Sequence, residues 1–293
     1  MWKVTGDSMF GYAHTNTHWN LGGRPYFDSK VTAFNPPSTM TYGGVYDPIF
    51  NGGTQWGITV NRPQANLTRL ESMASASSPV ALVTGEDVAL TFIPDGTVTV
   101  KIPALTGTIR DETVPLSSLT SNGIIAVKGG DIRVKGTYAG QVTLTALSDS
   151  SPLKGNIWID GDIRAATNPR GNPSSNDMLG LVAERMAYVT TKDPVTGTLY
   201  PRDASSVITI QAAIYTHNGV FAAEDYDTVP VSGRIDLFGG VTMNASTSTG
   251  KISGGALING FLKSIRHDPR FLTAAPPGYP VSDKFLLVSW WEN

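Results

Sequence analysis

Between residues 123 and 262 the chain is a succession of short apolar segments, and their spacing restricts the fold more than any other feature. The stretch GIIAVKGGDIRVKGTYAGQVTLTAL contains three β-type segments, IIAV, IRV and VTL, separated by only a few small or polar residues. The same form returns in GNIWIDGDIRA, VITIQAAIYTHNGVF and GRIDLFGGVTMN. Successive parallel strands of an α/β fold need a crossover of about a dozen residues or more, usually a helix, and none fits here. The spacing therefore excludes βαβ units.

Two all-β architectures remain, an antiparallel sandwich and a parallel β-solenoid. The segments are short and are bounded by Gly, Asp or Asn on both sides. Such strands suit the coils of a solenoid, in which each strand stacks on the strand one turn earlier. The predicted fold is therefore an all-β, right-handed parallel β-helix (solenoid) with an antiparallel β insertion. Residues 1–62 form its N-terminal part, residues 63–118 the inserted hairpin region, and residues 119–293 the main coils and C-terminal cap.

The inserted region carries a clear hairpin signal. In EDVALTFIPDGTVTVKI, residues 86–102, alternating strands flank Pro94-Asp95-Gly96, whose residue types favour a tight reversal. A short helix is expected at residues 64–76, because leucine and methionine recur there at helical spacing.

The composition agrees with many turns and few surface helices. Charged residues make up 16% of the chain, below the roughly one quarter that is typical, and glycine occurs 31 times. Lys and Arg number 22 and Asp and Glu 24, which gives a net charge of −2. No overall basic field therefore exists to attract nucleic acid, and such binding would need a local patch.

Cysteine is absent, which excludes disulfides, thiolate metal sites and cysteine nucleophiles. No apolar run reaches the roughly 18 residues that a membrane helix requires, and the first ten residues lack the pattern of a signal peptide. We expect either an intracellular protein or the body of a longer secreted protein whose targeting segment is not in this chain.

Several blocks resemble a family of bacterial surface proteins. MFGYAHTNTHWNLGGRPYFDSKVTA resembles the opening of a domain in which F-G-x-x-H-T-N precedes Gly-x-Pro-x-Phe and a Val-Thr strand, and GGVYDPIFNGG fits the stretch after it. GNIWIDGDIR, NDMLGLVAE, ITIQAAIYTHNGVFAAEDY and RHDPRFLTAAPPGYP are similar to later blocks in the same order. The family is that of type IV pilus assembly or minor-pilin-like proteins, and the resemblance covers about residues 9–62 and 119–280.

This resemblance implies a β-solenoid ectodomain at the cell surface, similar to the β-solenoid minor pilins of competence pili. It also implies pilus subunits as partners and DNA as the first candidate ligand. Members of the family usually carry an N-terminal pilin helix, which this chain lacks. Incorporation into a pilus is therefore expected only if the chain is a trimmed ectodomain.

Cationic and aromatic side chains are predicted to share one wall of stacked coils. In DIRVKG the alternation turns Arg133 and Lys135 outward, and in NIWIDGDIR it turns Trp158 and Arg164 outward. Cations around an aromatic platform suit phosphate backbones, unstacked bases and sugar rings, whereas the alternative is an ordinary solvated sheet face. A second basic cluster, Lys263, Arg266 and Arg270, lies near the C-terminus. It is either a second ligand-binding surface or a cap on the last coil. The candidate ligand-binding residues are Lys128, Arg133, Lys135, Trp158, Arg164, Lys263, Arg266 and Arg270.

His14 and His18 lie four residues apart in GYAHTNTHWN. On a helix this spacing chelates zinc, but the surrounding Gly, Asn and Thr indicate strand and turn, where four residues span about 13 Å. The two rings therefore cannot share one ion, and a hydrogen-bonded structural role is predicted for His14. No metal and no cofactor are expected.

Asp160 and Asp162 in IDGDI are candidate acids because many β-solenoids cleave polysaccharides with carboxylates on one sheet. On one strand face they could reach the roughly 5–9.5 Å separation that glycoside hydrolysis needs. The alternative is a Gly-Asp corner in which the carboxylates cap turn amides. No G-x-S-x-G, P-loop or G-x-G-x-x-G motif is present, and no catalytic residue is predicted.

The expected function is non-enzymatic: an extracellular surface or pilus-associated protein for adhesion or for binding an extracellular polymer, DNA or polysaccharide. Two alternatives stay open, a polysaccharide lyase or hydrolase on the same scaffold and a purely structural subunit of a filament or envelope layer. The C-terminal FLLVSWWEN is expected to be a packed final strand or cap, or an assembly surface if it is exposed.

Overall fold

The protein is mostly β in the computed structural model, which describes residues 2–40, 46–78, 80–102, 110–149, 151, 153–245, 247–253 and 256–281. FLLVSWWEN lies outside these residues. Among the residues that the structure describes, no helix is both long and apolar enough to cross a membrane. The helices are α1 (Leu67–Ser77) and α2 (Leu116–Leu119), and Pro269–Leu272 form a 3-10 turn. In chain order the strands are β1 (Trp2–Lys3), β2 (Ser8–Phe10), β3 (Ala13–Thr15), β4 (Asn20–Gly22), β5 (Tyr26–Phe27), β6 (Val31–Ala33), β7 (Ser38–Met40), β8 (Ile49–Phe50), β9 (Thr54–Trp56), β10 (Leu82–Thr84), β11 (Val88–Phe92), β12 (Thr97–Ile102), β13 (Arg110–Pro115), β14 (Ile124–Lys128), β15 (Ile132–Tyr138), β16 (Gln141–Leu147), β17 (Ile157–Ala165), β18 (Met178–Ala183), β19 (Ala187–Val189), β20 (Val207–Thr216), β21 (Phe221–Ala223), β22 (Val231–Thr242), β23 (Gly250–Ser253) and β24 (Ala256–His267).

Most strands pair in parallel with a strand that lies a little further along the chain. One parallel ladder runs through β10, β14, β16, β18, β20, β22 and β24. A second runs through β11, β15, β17, β19 and β21. With the antiparallel strands β12, β13 and β23 and the N-terminal strands β2, β5 and β8 they make one mixed sheet of 18 strands. The all-β prediction is confirmed, whereas the right-handed β-helix stays a prediction.

The predicted hairpin forms within residues 63–118. β11 and β12 pair antiparallel, and Asp95 in the turn accepts a hydrogen bond from the Thr97 amide at 2.9 Å. β10 and β11 also pair in parallel with β14 and β15, so this region is joined to both ladders and only part of it is antiparallel.

Helix α1 begins close to the position predicted from its apolar spacing. Asn66 caps its first turn, because the side-chain oxygen accepts from the Arg69 amide at 2.9 Å. Leu70 and Ala74 are buried against the aliphatic residue Ile124 and its neighbours on the ladder. The helix therefore covers one face of the first strands.

The N-terminal strands continue the main ladder beyond its C-terminal strand. β2 pairs in parallel with β24, Met9 lying opposite Ile265, and β5 and β8 follow β2. Two three-stranded parallel sheets, β1-β4-β7 and β3-β6-β9, complete this part. Strands β2, β5 and β8 thus extend the ladder that ends in β24, although they lie far from β24 in the sequence.

The core consists of aliphatic residues stacked in register from one strand to the next. Ile132 lies opposite Ile157, Ile157 opposite Ala187, and Ala187 opposite Phe221, all of them buried. Because side chains alternate between the two faces of a strand, the residue after each of these points away from the core. This register places one outward side chain on each of β15, β17, β19 and β21 in a single line.

Gly136 sits where β15 and β17 change register, and its backbone needs a glycine. Its φ is +103°, and a Cβ at this position would lie 2.2 Å from the Phe92 carbonyl oxygen. We expect Gly136→Ala to lower the free energy of unfolding by about 2–4 kcal/mol, measured by urea denaturation. Gly140→Ala is the matched control, since φ is +85° but nothing lies within 4 Å of a Cβ there. Equal losses in the two variants would show that the clash is not the cause.

Candidate functional site

Three outward side chains on successive strands form a stack that we call the aromatic column: Arg133 on β15, Trp158 on β17 and Tyr188 on β19. Arg133 lies opposite Trp158 and Trp158 opposite Tyr188 in the parallel pairing. The two rings are stacked, with centroids 4.6 Å apart and planes 23° apart. The guanidinium carbon of Arg133 lies 5.6 Å from the Trp158 centroid. Parallel register alone therefore brings together residues 25 to 55 positions apart in the sequence.

Hydrogen bonds to carboxylates hold the aromatic column in place. Arg133 donates from Nε to Asp160 Oδ2 at 2.8 Å and from Nη2 to Asp160 Oδ1 at 2.5 Å. Trp158 Nε1 donates to Asp131 Oδ2 at 3.1 Å. A bidentate Arg–carboxylate pair fixes both side chains, so the column is ordered before any ligand arrives. The side chains of Arg133 and Asp160 are only 21% and 12% exposed.

The two candidate acids, Asp160 and Asp162, are engaged in structural contacts. They lie within the continuous strand β17, at a bulge where Asp160 to Asp162 oppose Lys135, rather than at a corner between two strands. Asp160 is paired with an arginine as described, and Asp162 accepts from the Thr209 amide at 2.8 Å and from Arg164 Nη2 at 2.8 Å. Both carboxylates therefore have partners within the protein, and these contacts hold neighbouring strands in position.

The remaining cations of the predicted wall are divided between two places. Arg164 lies opposite Thr137, on the far side of the β17 bulge from Trp158, and Lys135 is exposed beside the bulge. Lys128 belongs to a different strand and donates to Glu71 of α1 at 2.7 Å, and this contact raises the pKa of Lys128. Arg133 and Trp158 therefore meet as predicted, whereas Lys128 does not join them.

The predicted C-terminal basic cluster does not form one surface. Lys263 is 5% exposed, and burial lowers the pKa of its ammonium group. Arg270 is tied to Asp268, with Nη2 and Oδ2 2.6 Å apart and side chains 9% and 2% exposed. These two residues are corrected to structural roles, because alternation and pairing turn them inward. Arg266 is exposed, and its guanidinium carbon lies 3.9 Å from the Phe10 centroid.

The two N-terminal histidines make separate hydrogen bonds. His14 Nδ1 lies 2.8 Å from Thr32 Oγ1 and His14 Nε2 lies 2.7 Å from Asn16 Oδ1, as the predicted structural role requires. His18 Nε2 lies 3.1 Å from Asn20 Oδ1. Within the described ranges, no group of three or more His, Asp or Glu side chains has the arrangement of a metal site.

Beside the aromatic column lies a groove of about 370 Å³ that the sequence reasoning missed. We call it the Tyr188 groove, and we define it by Tyr188, Ala222, Glu224, Asp225 and Asp227, all of which line it. The last three belong to FAAEDYD, residues 221–227, whose aspartates are acidic candidates without a recognisable motif. In the sequence, the run of acidic residues directly after the alanines of β21 is the signal that could have indicated this groove.

The electrostatics of the groove are dominated by carboxylates. Lys192 lies 2.7 Å from Asp225 Oδ2 and 3.6 Å from Glu224 Oε1, and both contacts raise the pKa of Lys192. Burial raises the pKa of Tyr188, so its hydroxyl is a neutral donor at physiological pH. The site thus offers a neutral ring and several hydrogen-bond acceptors, with little positive charge.

Comparison with known proteins gives limited information about this chain. No family model matches it, and no curated protein matches it. Among solved structures it is similar to the competence-associated pilin ComZ from Thermus thermophilus, with 12% identity and a TM-score of 0.42. The match covers 95% of this chain and 71% of that one. These values are too low to assign a fold or a function to this chain.

Proposed function

We propose that the chain is a non-enzymatic extracellular or pilus-associated surface protein, a minor-pilin-like ectodomain that binds an extracellular polymer. We further propose that its parallel ladders are the coils of a right-handed β-solenoid. The short parallel strands support the fold, and the ordered sequence blocks that resemble minor-pilin-like proteins support the location. The observation that carries the binding function is the aromatic column.

The aromatic column suits a polymer because it is fixed, half-exposed and placed on a long parallel sheet. Tyr188 and Trp158 are partly exposed, and Arg133 and Asp131 hold Trp158 from one side. An ordered aromatic surface binds flat ligands at little entropic cost, because its side chains lose little freedom on binding. Sugar rings and unstacked bases both meet this requirement.

DNA is the second candidate polymer, and exposed cations favour it. Lys135 and Arg266 have no carboxylate partner among the described residues and point to solvent. Four other predicted cations are neutralised by carboxylates: Lys128, Arg133, Arg164 and Arg270. Because only two of the predicted cations are both exposed and unpaired in the described part of the protein, and the net charge is −2, DNA binding should be weak and salt-sensitive.

A polymer-binding titration tests the proposal. We expect the wild-type protein to bind at least one of a neutral polysaccharide, an acidic polysaccharide and single-stranded DNA at low salt, measured by retention and gel shift. Trp158→Ala should weaken this binding about tenfold or more, because it removes the centre of the aromatic column. Lys251→Ala, an exposed lysine on β23, is the control and should bind as wild type does.

Salt separates the two polymer classes. Binding of a neutral polysaccharide should change little between low and physiological salt, whereas DNA binding should fall steeply, and Lys135→Ala should reduce the salt slope by about 1. Failure of all three polymers to bind at low salt would reject the binding function. Release of soluble oligosaccharides from a polysaccharide substrate would instead establish the enzymatic alternative.

A further inference from the structure

The aromatic column ends abruptly at Ala222, and this ending creates the Tyr188 groove. In the parallel pairing Tyr188 lies opposite Ala222 on β21, just as it lies opposite Trp158 on β17. A methyl group is too small to continue a stack of rings, and β21 has no further parallel partner in this ladder among the described strands. Tyr188 and Ala222 border the groove of about 370 Å³, and Trp158 also lines it.

The acidic side of the groove is a fixed turn. Asp225 has φ of 46°, a left-handed conformation that is uncommon for a residue other than glycine. The Asp225 carbonyl oxygen accepts from the amides of Thr228 and Val229, both at 3.0 Å. Glu224 is anchored by the Thr191 amide at 3.0 Å. The backbone of the turn and the Glu224 carboxylate are therefore held in place.

The volume and the lining agree with a ligand site of small-molecule size. Clefts that bind ligands measure about 300–1,000 Å³ and combine apolar walls with a few fixed polar groups. Here Met186, Val220 and Ala222 supply apolar surface, and Tyr188 and Tyr226 supply rings. Asp227 is exposed at the rim, with no hydrogen bond or ion pair to another described residue, so its carboxylate is free to accept from a ligand.

From this arrangement we infer that the Tyr188 groove binds a neutral pyranose unit of an extracellular polysaccharide. The inference rests on the proposed polymer-binding function and identifies its ligand class. The C–H face of a sugar ring packs on Tyr188, and its hydroxyls donate to Asp225 and Asp227, since carboxylates only accept hydrogen bonds at neutral pH. Carboxylate–hydroxyl hydrogen bonds are charge-assisted and fix the orientation of the ring.

The same charges exclude a phosphodiester from this groove. Among the described residues, three carboxylates, those of Glu224, Asp225 and Asp227, lie at this groove with two cations nearby: Lys192, which pairs with Glu224 and Asp225, and Arg185, whose charge lowers the pKa of Tyr188. Lys192 is already shared between two of them, so an incoming phosphate would meet uncompensated negative charge. A DNA ligand, if bound elsewhere on the protein, would use the exposed cations and not this groove.

Calorimetric titration with neutral oligosaccharides tests the inference. The probes are oligosaccharides of glucose, galactose, xylose and N-acetylglucosamine, with spermidine and a short single-stranded DNA for comparison. We expect at least one neutral oligosaccharide to bind, with an affinity that salt leaves unchanged. Tyr188→Ala should weaken binding about tenfold or more, and Asp227→Asn should weaken it several-fold.

Two further variants separate the groove from general effects on the fold. Ala222→Leu fills the groove while keeping Tyr188, and it should abolish binding; its melting temperature is compared with that of wild type. Tyr12→Ala removes a tyrosine that is 78% exposed elsewhere, and it should bind as wild type does. If Ala222→Leu does not fold, Tyr188→Ala and Asp227→Asn decide the question.

The outcomes distinguish this inference from the proposed function. In one outcome Trp158→Ala weakens polymer binding, whereas Tyr188→Ala and Ala222→Leu leave it unchanged. This result would overturn the assignment of the ligand to the Tyr188 groove, and it would support the proposed polymer-binding function. Oligosaccharide binding without polymer binding would support the groove and overturn the function. Binding of spermidine in place of every oligosaccharide would overturn the inference, because it would show a site for cations.

Discussion

Replacing Lys3 with methionine is expected to raise the free energy of unfolding by about 4 kcal/mol at pH 7. Lys3 on β1 is fully buried, and its ammonium nitrogen has no hydrogen-bond partner in the described part of the protein. Burial first, and then repulsion by the buried Lys263, lower the pKa of Lys3 from 10.5 to about 7, against the attraction of Asp7. A pKa displacement of this size corresponds to a folding cost of about 5 kcal/mol when Lys3 is fully protonated, and of about 4 kcal/mol at pH 7, where part of the folded protein has already lost the proton. Methionine has a similar length and carries no charge.

The sign of the pH dependence follows from the same pKa. The unfolded chain holds the Lys3 proton up to about pH 10.5 and the folded chain only up to about pH 7. The cost is therefore fully present below pH 7 and is relieved as the pH rises from 7 towards 10.5. The stability difference between Lys3→Met and wild type should be largest at pH 6–7 and should shrink towards pH 10.

Urea denaturation at several pH values measures this difference. Lys30→Met, which replaces an exposed lysine, is the control and should change stability little at any pH. A difference between Lys3→Met and wild type that stays constant across the whole pH range would contradict the assignment of the cost to the Lys3 proton.

Removing Arg270 should have a comparable effect in the opposite direction. Arg270→Ala is expected to lower the free energy of unfolding by about 3–5 kcal/mol, because it leaves the carboxylate of Asp268 buried without its partner. Arg270 Nη1 also donates to the carbonyl oxygens of Ser175 at 2.7 Å and Asp177 at 3.0 Å. Removing the Arg270 side chain would thus break the contacts between the 3-10 turn and the loop that precedes β18.

A double-mutant cycle identifies the cause of this loss. The double variant Arg270→Ala/Asp268→Ala should be more stable than the single variant Arg270→Ala, because the second substitution removes the buried carboxylate that has lost its partner. Arg266→Ala is the surface control and should cost less than about 1 kcal/mol, because Arg266 is exposed and only covers Phe10. Equal losses in Arg270→Ala and Arg266→Ala, by thermal or urea denaturation, would contradict a buried pair.

Local patterns in the sequence predicted the strands, the hairpin and the first helix. The alternation of apolar and polar residues correctly placed Arg133, Lys135 and Trp158 on outer faces. Successive side chains of a strand point to opposite faces whichever strand pairs with it, so this placement needs no knowledge of the partner strand. The residue types around Asp95 were sufficient for the β11–β12 turn. These features depend on neighbours within a few residues, which a single sequence contains.

Features that depend on distant neighbours were not predicted. Arg133 pairs with Asp160, and Lys128 pairs with Glu71, 57 positions away, so that charges expected to be free are neutralised. Lys263 is predicted to be a surface cation, but β24 turns it inward, where its charge helps to lower the pKa of the buried Lys3. The Tyr188 groove depends on which residue follows Tyr188 in the ladder, and register between strands cannot be read from one sequence.

The junction between β2 and β24 has a consequence for how the protein folds. Ser8 on β2 lies opposite Ser264 on β24, 256 positions further along the sequence. Strands β1 to β9 pair among themselves, so this part can form locally, whereas the contact between β2 and β24 closes a very large loop, which slows folding. We expect the pairing of β2 with β24 to form after the local pairing of β2 with β5, because contacts between residues far apart in sequence form more slowly.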